Sequence, residues 1–321
     1  MKQTSFAVGG FEKHMKGTRR AVFLAEMNRV LPWAELCALI EPHYPKAGNG
    51  RPPVPLELMI RIHCLQHWFN LSDPAAEESL YDSVSMREFA GIDLGEKPVP
   101  DETTICKFRH LLERHDLGRQ IFELIGRYLD EHGLKVSRGT IVDASVISAP
   151  SSTKNQSGER DPEMGSTKKG SNWLFGMKAH IGVDSKTKRI HSVEATPANV
   201  ADCKMMPKLL HGQERRVWGD TAYIGQRQVI RQVAPKAQDF TQLKATRHRK
   251  LTRTQRLVNR TKSKVRAKVE HAFGVIKQIF GFRKVRYRGI HKNANRLMTA
   301  CALANVYMFR RLLIHRQARC V

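Results

Sequence analysis

The stretch GTIVDASVIS, residues 139–148, decides the fold. Ile141, Val142, Val146 and Ile147 make it apolar and β-branched, and its length suits a single strand. Asp143 stands in its middle. Burying an unpaired carboxylate costs several kcal/mol or shifts its pKa, so a strand like this carries one only where something compensates it.

Downstream, short elements alternate. Residues 150–172, PSSTKNQSGERDPEMGSTKKGSN, are polar and rich in breakers and read as one long loop. LFGMKAHIGVD and RIHSVEATP flank the turn SKTK and read as a hairpin. NVADCKMMPKLLHG reads as a helix, RRVWGD as a buried strand ending at Asp220, IGQRQVIRQVA as a helix and DFTQLKA as a strand. Residues 244–264 are too basic and too poor in apolar residues to pack, and read as a linker that is either a solvated face or a contact with phosphate. Helical periodicity returns over 263–280, and NANRLMTACALANVYMFRRLLIHRQ is apolar on most faces and is expected to pack on the sheet.

Upstream, residues 21–135 read as helical almost throughout, with a break at Pro32. Asp73, followed by Pro74, and Asp101 are the expected N-caps, and Ile105, Phe108, Leu111 and Leu112 form an apolar stripe after the second. Such short helices can make a helix-turn-helix reader of DNA or a plain helical bundle. The chain is thus expected to divide into an N-terminal tail (1–20), an all-α domain (21–135), an α/β domain with a mixed sheet flanked by helices (136–312) and a basic tail (313–321).

The 55 Lys and Arg against 30 Asp and Glu give a formal net charge of +25. Such an excess works against compactness by self-repulsion and points to a polyanionic partner, nucleic acid first and an anionic membrane surface second. No run of 18 apolar residues exists and the first residues lack the apolar core of a signal peptide. A soluble, cytoplasmic, nucleoid-associated chain with no membrane partner is therefore expected. Six scattered cysteines without a CxxC pair read as reduced packing residues.

From Phe240 to Val321 there are 22 Lys and Arg and a single acid, Glu270, within KVRAKVEHAFGVIK (264–277). On a continuous helix Arg266, Glu270 and Lys277 fall within about 40° of one face, at roughly 100° per residue. An i to i+4 ion pair of Glu270 with Arg266 is the bland alternative, worth a few tenths of a kcal/mol. Asp143, Asp220 and Glu270, from two strands and a helix, could together bind two hard cations such as Mg²⁺, an arrangement that activates an attacking oxygen and stabilises a leaving one at a phosphodiester. Taken singly, each Asp reads first as a hydrogen-bonded turn or cap residue.

TIVDASVISAPSSTKN, RDPEMGSTKKGSNWLFGMKAHIGVD, GDTAY and RAKVEHAFGVIKQIFGFRKVRYRG together resemble insertion-sequence transposases of the DDE class, closest to insertion sequence family five. The similarity continues upstream through LPWAELCALIEPHYPKAGNGRPPVPLELMIRIHCLQHWFNLSD and PDETTICKFRHLLE. The resemblance implies a ribonuclease H-like catalytic domain in which Asp143, Asp220 and Glu270 are the catalytic, metal-binding triad for two Mg²⁺ ions, with Mn²⁺ as a substitute. It implies double-stranded DNA as partner, both the inverted-repeat ends of a mobile element and a target, and a homodimer or higher oligomer on that DNA. Arg266, Glu270 and Lys277 match the family signature around its glutamate, whereas Ser263 stands where the family has Tyr.

Lys178 and His180, alternating with Met177 and Ala179 on the strand beside Asp143, are expected at DNA or phosphate, or on an ordinary exposed face. Trp173 is expected either to stack on an unpaired base or to anchor packing. Tyr223 either supports Asp220 or touches DNA. The function expected is metal-dependent strand cleavage and strand transfer in DNA transposition; a non-catalytic DNA-binding regulator, an inactive copy and a general nuclease are the alternatives.

Overall fold

The computed structural model describes residues 17–49, 52–155, 158–246 and 250–318. Helices come first: α1 (Arg19–Val30), α2 (Trp33–Ile40), α3 (Leu56–Trp68), α4 (Asp73–Asp82), α5 (Val84–Ala90), α6 (Glu102–Arg114) and α7 (Leu117–Glu131). Pro32 separates α1 from α2 as expected. Asp101 caps α6, accepting from the Thr104 amide at 2.6 Å, and Ile105, Phe108 and Leu112 turn into the core. The cap of α4 lies one residue earlier than expected. Ser72 Oγ accepts from the Ala75 amide at 3.2 Å, which frees the Asp73 carboxylate to accept from Gln66 Nε2 at 2.8 Å and Arg109 Nη2 at 2.9 Å.

The α/β part follows: β1 (Gly139–Ser148), β2 (Gly165–Lys169), β3 (Asn172–Asp184), β4 (Ile190–Pro197), α8 (Met206–Leu209), β5 (Arg216–Trp218), α9 (Arg227–Val233), β6 (Gln238–Asp239), α10 (Arg253–Arg266), α11 (Lys268–Gly274), a π-helical turn (Val275–Ile279) and α12 (Ile290–Gln317). The strands form one six-stranded mixed sheet centred on β1, antiparallel to β3 and parallel to β5, which continues to β6. Strands β2 and β4 follow one another along the other side of β3. The fold class is the one expected, a ribonuclease H-like mixed sheet with helices behind an all-α region. Where β1, β2 and β3 meet, Gly176 at φ +155 has Ile147 O only 2.2 Å from where a Cβ would stand, so no side chain fits there.

Strand β5 is short, and that determines where the site lies. It pairs only with residues 139–141 of β1, so beyond Ile141 the edge of β1 on that side is free of β5. Side chains of β1 alternate. Ile141 and Ile147 pack in the core that α11 and α12 cover, while Val142 packs on the opposite face with Met206, Leu209, Tyr223 and Ile230. Helix α12 has the length and composition of a membrane span, but it lies against α1, α7 and β4, and Asn305 bonds both backbone groups of Ile190 at 2.9 and 2.8 Å.

Several segments differ from their sequence reading. Residues 165–169, expected within a loop, form β2, a polar strand with three of its five residues exposed. The helix expected over 199–212 shrinks to a 3₁₀ turn and the four residues of α8, and the strand expected from Asp239 onward is the two-residue β6. The basic linker is helical from Arg253, opened by a capping box of Thr252 and Gln255. Helix α12 runs through buried Leu313 to Gln317, taking in most of the expected C-terminal tail. In the expected N-terminal tail, residues 1–16 lie outside the described residues, and Arg19 and Arg20 already belong to α1.

Candidate active site

An open cleft of about 750 Å³ lies over the free edge of β1. Asp143 enters it from the middle of β1, Asp220 from just past the end of β5, and Glu270 from α11. All three expected acids therefore reach one cavity, and the short β5 is what lets the first two approach. Asp220 Oδ1 also caps the following 3₁₀ turn, accepting from the Ala222 amide at 2.8 Å.

Arg266, at the last position of α10, donates from Nη1 to Asp143 Oδ2 at 3.1 Å, and Asp143 Oδ1 accepts from the Ala144 amide at 2.9 Å. Burial is the larger effect and pushes the Asp143 carboxyl up to about 6; Arg266 and the Ala144 amide oppose it, and the charges of Asp220 and Asp202 add to it. The i to i+4 pair of Arg266 with Glu270 is not formed, and Glu270 is exposed.

The helix carrying Arg266, Glu270 and Lys277 is not continuous, as the sequence reading assumed. It ends at Arg266, restarts at Lys268 and widens into the π turn at Val275. The three residues nevertheless line the same cleft. Lys277 Nζ donates to Ser145 Oγ at 2.6 Å and to Val146 O. Burial, together with the nearby charges of Lys169 and Arg283, lowers its pKa to about 8. Ser263, at the signature's tyrosine position, binds Gln242 Nε2 at 2.6 Å and does not line the cleft.

Among the residues expected at DNA, Lys178 lines the cleft and Trp173 is 69% exposed, across from Lys168, whose Nζ lies 5.9 Å from the indole centroid. His180 is corrected. It is fully buried, its Nε2 lies 2.8 Å from Thr196 Oγ1, and burial lowers its pKa to about 4, so it is a neutral core group with no path to a duplex. Tyr223 is corrected as well: it is fully buried, and its ring packs against Gly219, the residue before Asp220. Its hydroxyl has no hydrogen-bond partner among the described residues, and burial beside Asp202, Asp143 and Asp220 raises its pKa. Of its two expected roles, support for Asp220 is the one compatible with this burial.

Asp202 is a site residue that the sequence reading missed. It lines the cleft from the 3₁₀ turn after β4, with Oδ1 2.8 Å from Lys178 Nζ. The ammonium aims its hydrogen bond at Val200 O, also at 2.8 Å, so the contact with Asp202 is one of charge more than of alignment. The available signal was an acid just after a strand, in ATPANVADC, obscured there by reading the segment as a helix.

The cleft therefore gathers four carboxylates, from Asp143, Asp202, Asp220 and Glu270, with five bases, Lys168, Lys169, Lys178, Arg266 and Lys277. The donor set fits a hard divalent cation: it is all oxygen, and the charges of Asp220 and Asp202 add a smaller push to the one that burial gives Asp143. As the side chains stand, no three potential ligands converge to clasp an ion among the described residues, and Arg266 occupies the position beside Asp143 Oδ2.

Residues 135–306, more than half the chain, match the family described as Transposase DDE domain. Residues 12–111 match the Transposase domain (DUF772). The fold is similar to the cryo-EM structure of a piggyBac transposase synaptic complex with hairpin DNA, at 10% identity and a TM-score of 0.48, over 92% of this chain and 73% of that one. On the first of these matches, the chain belongs to the DDE transposases, divalent-metal-dependent enzymes of DNA transposition that cleave DNA and transfer its strands.

Proposed function

We propose that this transposase binds the terminal inverted repeats of its own mobile element, cuts the DNA at those ends and joins them to a target, as a homodimer or higher oligomer on DNA. The observation that carries this reading is the arrival of Asp143, Asp220 and Glu270 in one basic-rimmed cleft from three separate elements. These three residues would hold Mg²⁺, with Mn²⁺ as a substitute; the bound ions would lower the pKa of an attacking water and neutralise the leaving oxygen.

The chain's own residues do the rest. Arg266 holds the Asp143 carboxylate from the Oδ2 side, and Ala144 fixes its Oδ1. Lys277, Lys178 and Lys168 place positive charge around the acids, where phosphate can be held. Trp173, at the exposed start of β3 beside Lys168, offers an indole face for an unpaired base. Asp202 and buried Tyr223 support the wall on which Lys178 and Asp220 stand.

The test is strand cleavage by the wild-type protein on duplexes that carry the element's ends and on scrambled duplexes, each with Mg²⁺ and with EDTA. Cleavage confined to end-containing DNA with Mg²⁺ is expected. Equal cutting of scrambled DNA would make the protein a general nuclease, and binding without any cutting would make it a regulator.

A further inference from the structure

Helix α10 has no buried residue. Hydrogen bonds on one side tie it to the preceding loop. Asn259 exchanges two with the Leu243 backbone at 2.9 and 2.8 Å, Lys262 Nζ donates to Thr241 O at 2.7 Å, and Ser263 Oγ accepts from Gln242 at 2.6 Å.

Arg253, Arg256, Arg260 and Lys264 leave the helix elsewhere. At roughly 100° per residue they fall within about 80° of one another, about a third of a turn from that bonded side, and extend about 16 Å along the axis. All four are exposed, and none forms an ion pair with a described residue. No acid near them in sequence could serve, since Glu270 is the only one after Phe240.

Like charges at i and i+4, as in Arg256 with Arg260 and Arg260 with Lys264, destabilise a helix. Apart from the favourable place of Lys264 in the last turn, nothing among the described residues pairs with this stripe, and an external polyanion would offset its cost. The last residue of the same helix is Arg266, inside the cleft. We infer that this face of α10 is a docking track for the phosphate backbone of duplex DNA, lying outside the cleft on the helix whose last residue enters it. The inference rests on the transposase reading of that cleft. Duplex DNA carries one negative charge per ~1.7 Å of its axis, counting both strands, so a row of about 16 Å meets enough phosphate for its four cationic side chains. Such contacts position the duplex without reading its sequence.

The test compares the full-length triple variant Arg256→Gln, Arg260→Gln, Lys264→Gln with the control triple Arg138→Gln, Arg215→Gln, Lys236→Gln, which alters a cavity rim at the far end of the sheet. Glutamine keeps helix propensity, so α10 should persist. Duplex affinity is measured by fluorescence anisotropy across a salt series. The plot of log K against log salt is expected to become shallower by about 2 to 3 for the α10 triple, at ~0.9 per lost contact, and to keep its slope in the control. End-containing and scrambled duplexes should show the same change. Cleavage at saturating DNA and low salt should survive, which shows that the variant folds. An α10 triple with the wild-type slope, or a control that loses as much, overturns the inference, whether the stripe then holds an acidic protein segment or nothing. A wild-type protein with no salt-sensitive affinity for DNA would overturn the transposase reading and this inference with it.

Discussion

Arg266 Nη1 lies 3.1 Å from Asp143 Oδ2, an ion pair that joins the end of α10 to the centre of β1. One guanidinium does not offset the burial of that carboxylate, because Asp143 is still pushed up to about 6 from 3.8. Folding therefore favours its protonated form. Stability is greatest below the unfolded value and falls as pH rises from about 4 to about 6, by up to about 3 kcal/mol. Metal-free Asp143→Asn should lack that decline and melt above the wild type at about pH 8, by calorimetry in EDTA; Mg²⁺ should narrow the gap. A variant that melts no higher than wild type at that pH would show that the carboxylate is not strained.

Lys277, lowered to about 8, should make DNA binding depend on pH. Raising the pH from about 7 to about 9 removes its proton, so affinity should fall over that window. Bound phosphate should move the midpoint upward by favouring the charged form. Lys277→Arg, which stays protonated, should flatten the profile in anisotropy titrations.

His180 should matter to the fold and not to DNA. Replacing it with Ala removes a buried ring and leaves Thr196 Oγ1 without its partner at 2.8 Å, a loss of about 2 to 4 kcal/mol by denaturant titration. Its salt slope for DNA should match the wild type, which a histidine facing phosphate would not allow.

Asp202 lies 2.8 Å from Lys178 Nζ and lines the cleft, so Asp202→Asn should loosen that ammonium. Cleavage at saturating DNA should fall about tenfold, corresponding to about 1.4 kcal/mol of a charge-assisted contact, while DNA affinity changes little. Asp202→Glu should recover part of the rate.

The parts legible in the sequence are those whose side chains alternate or repeat with one partner surface. β1, β3 and β4 carry apolar residues facing a core, and their turn and capping signals agree with them. The three acids were legible because each is out of place: Asp143 in an apolar strand, Asp220 at a strand end and Glu270 alone among bases. β2 was illegible because a mostly exposed edge strand, GSTKK, has the composition of a loop. Helix α10 was illegible for a related reason, since hydrogen bonds to the loop at Thr241, Gln242 and Leu243 hold it in place of an apolar face. His180 has the residue type of a phosphate contact and the register of a core position, and only its burial against Thr196 separates the two. Asp202 reaches the site through the 3₁₀ turn after β4, and its one local signal, an acid just past a strand, is masked when the segment reads as a helix.

The central claim is that Asp143, Asp220 and Glu270 together perform strand cleavage. The most direct measurement is cleavage of end-containing duplex DNA in Mg²⁺ by Asp143→Asn, Asp220→Asn and Glu270→Gln, each checked for DNA affinity. Cleavage should be lost in all three, by a factor of a thousand or more, about 4 kcal/mol, while binding survives. Cleavage that persists in any one of them would remove that residue from the triad and contradict the account.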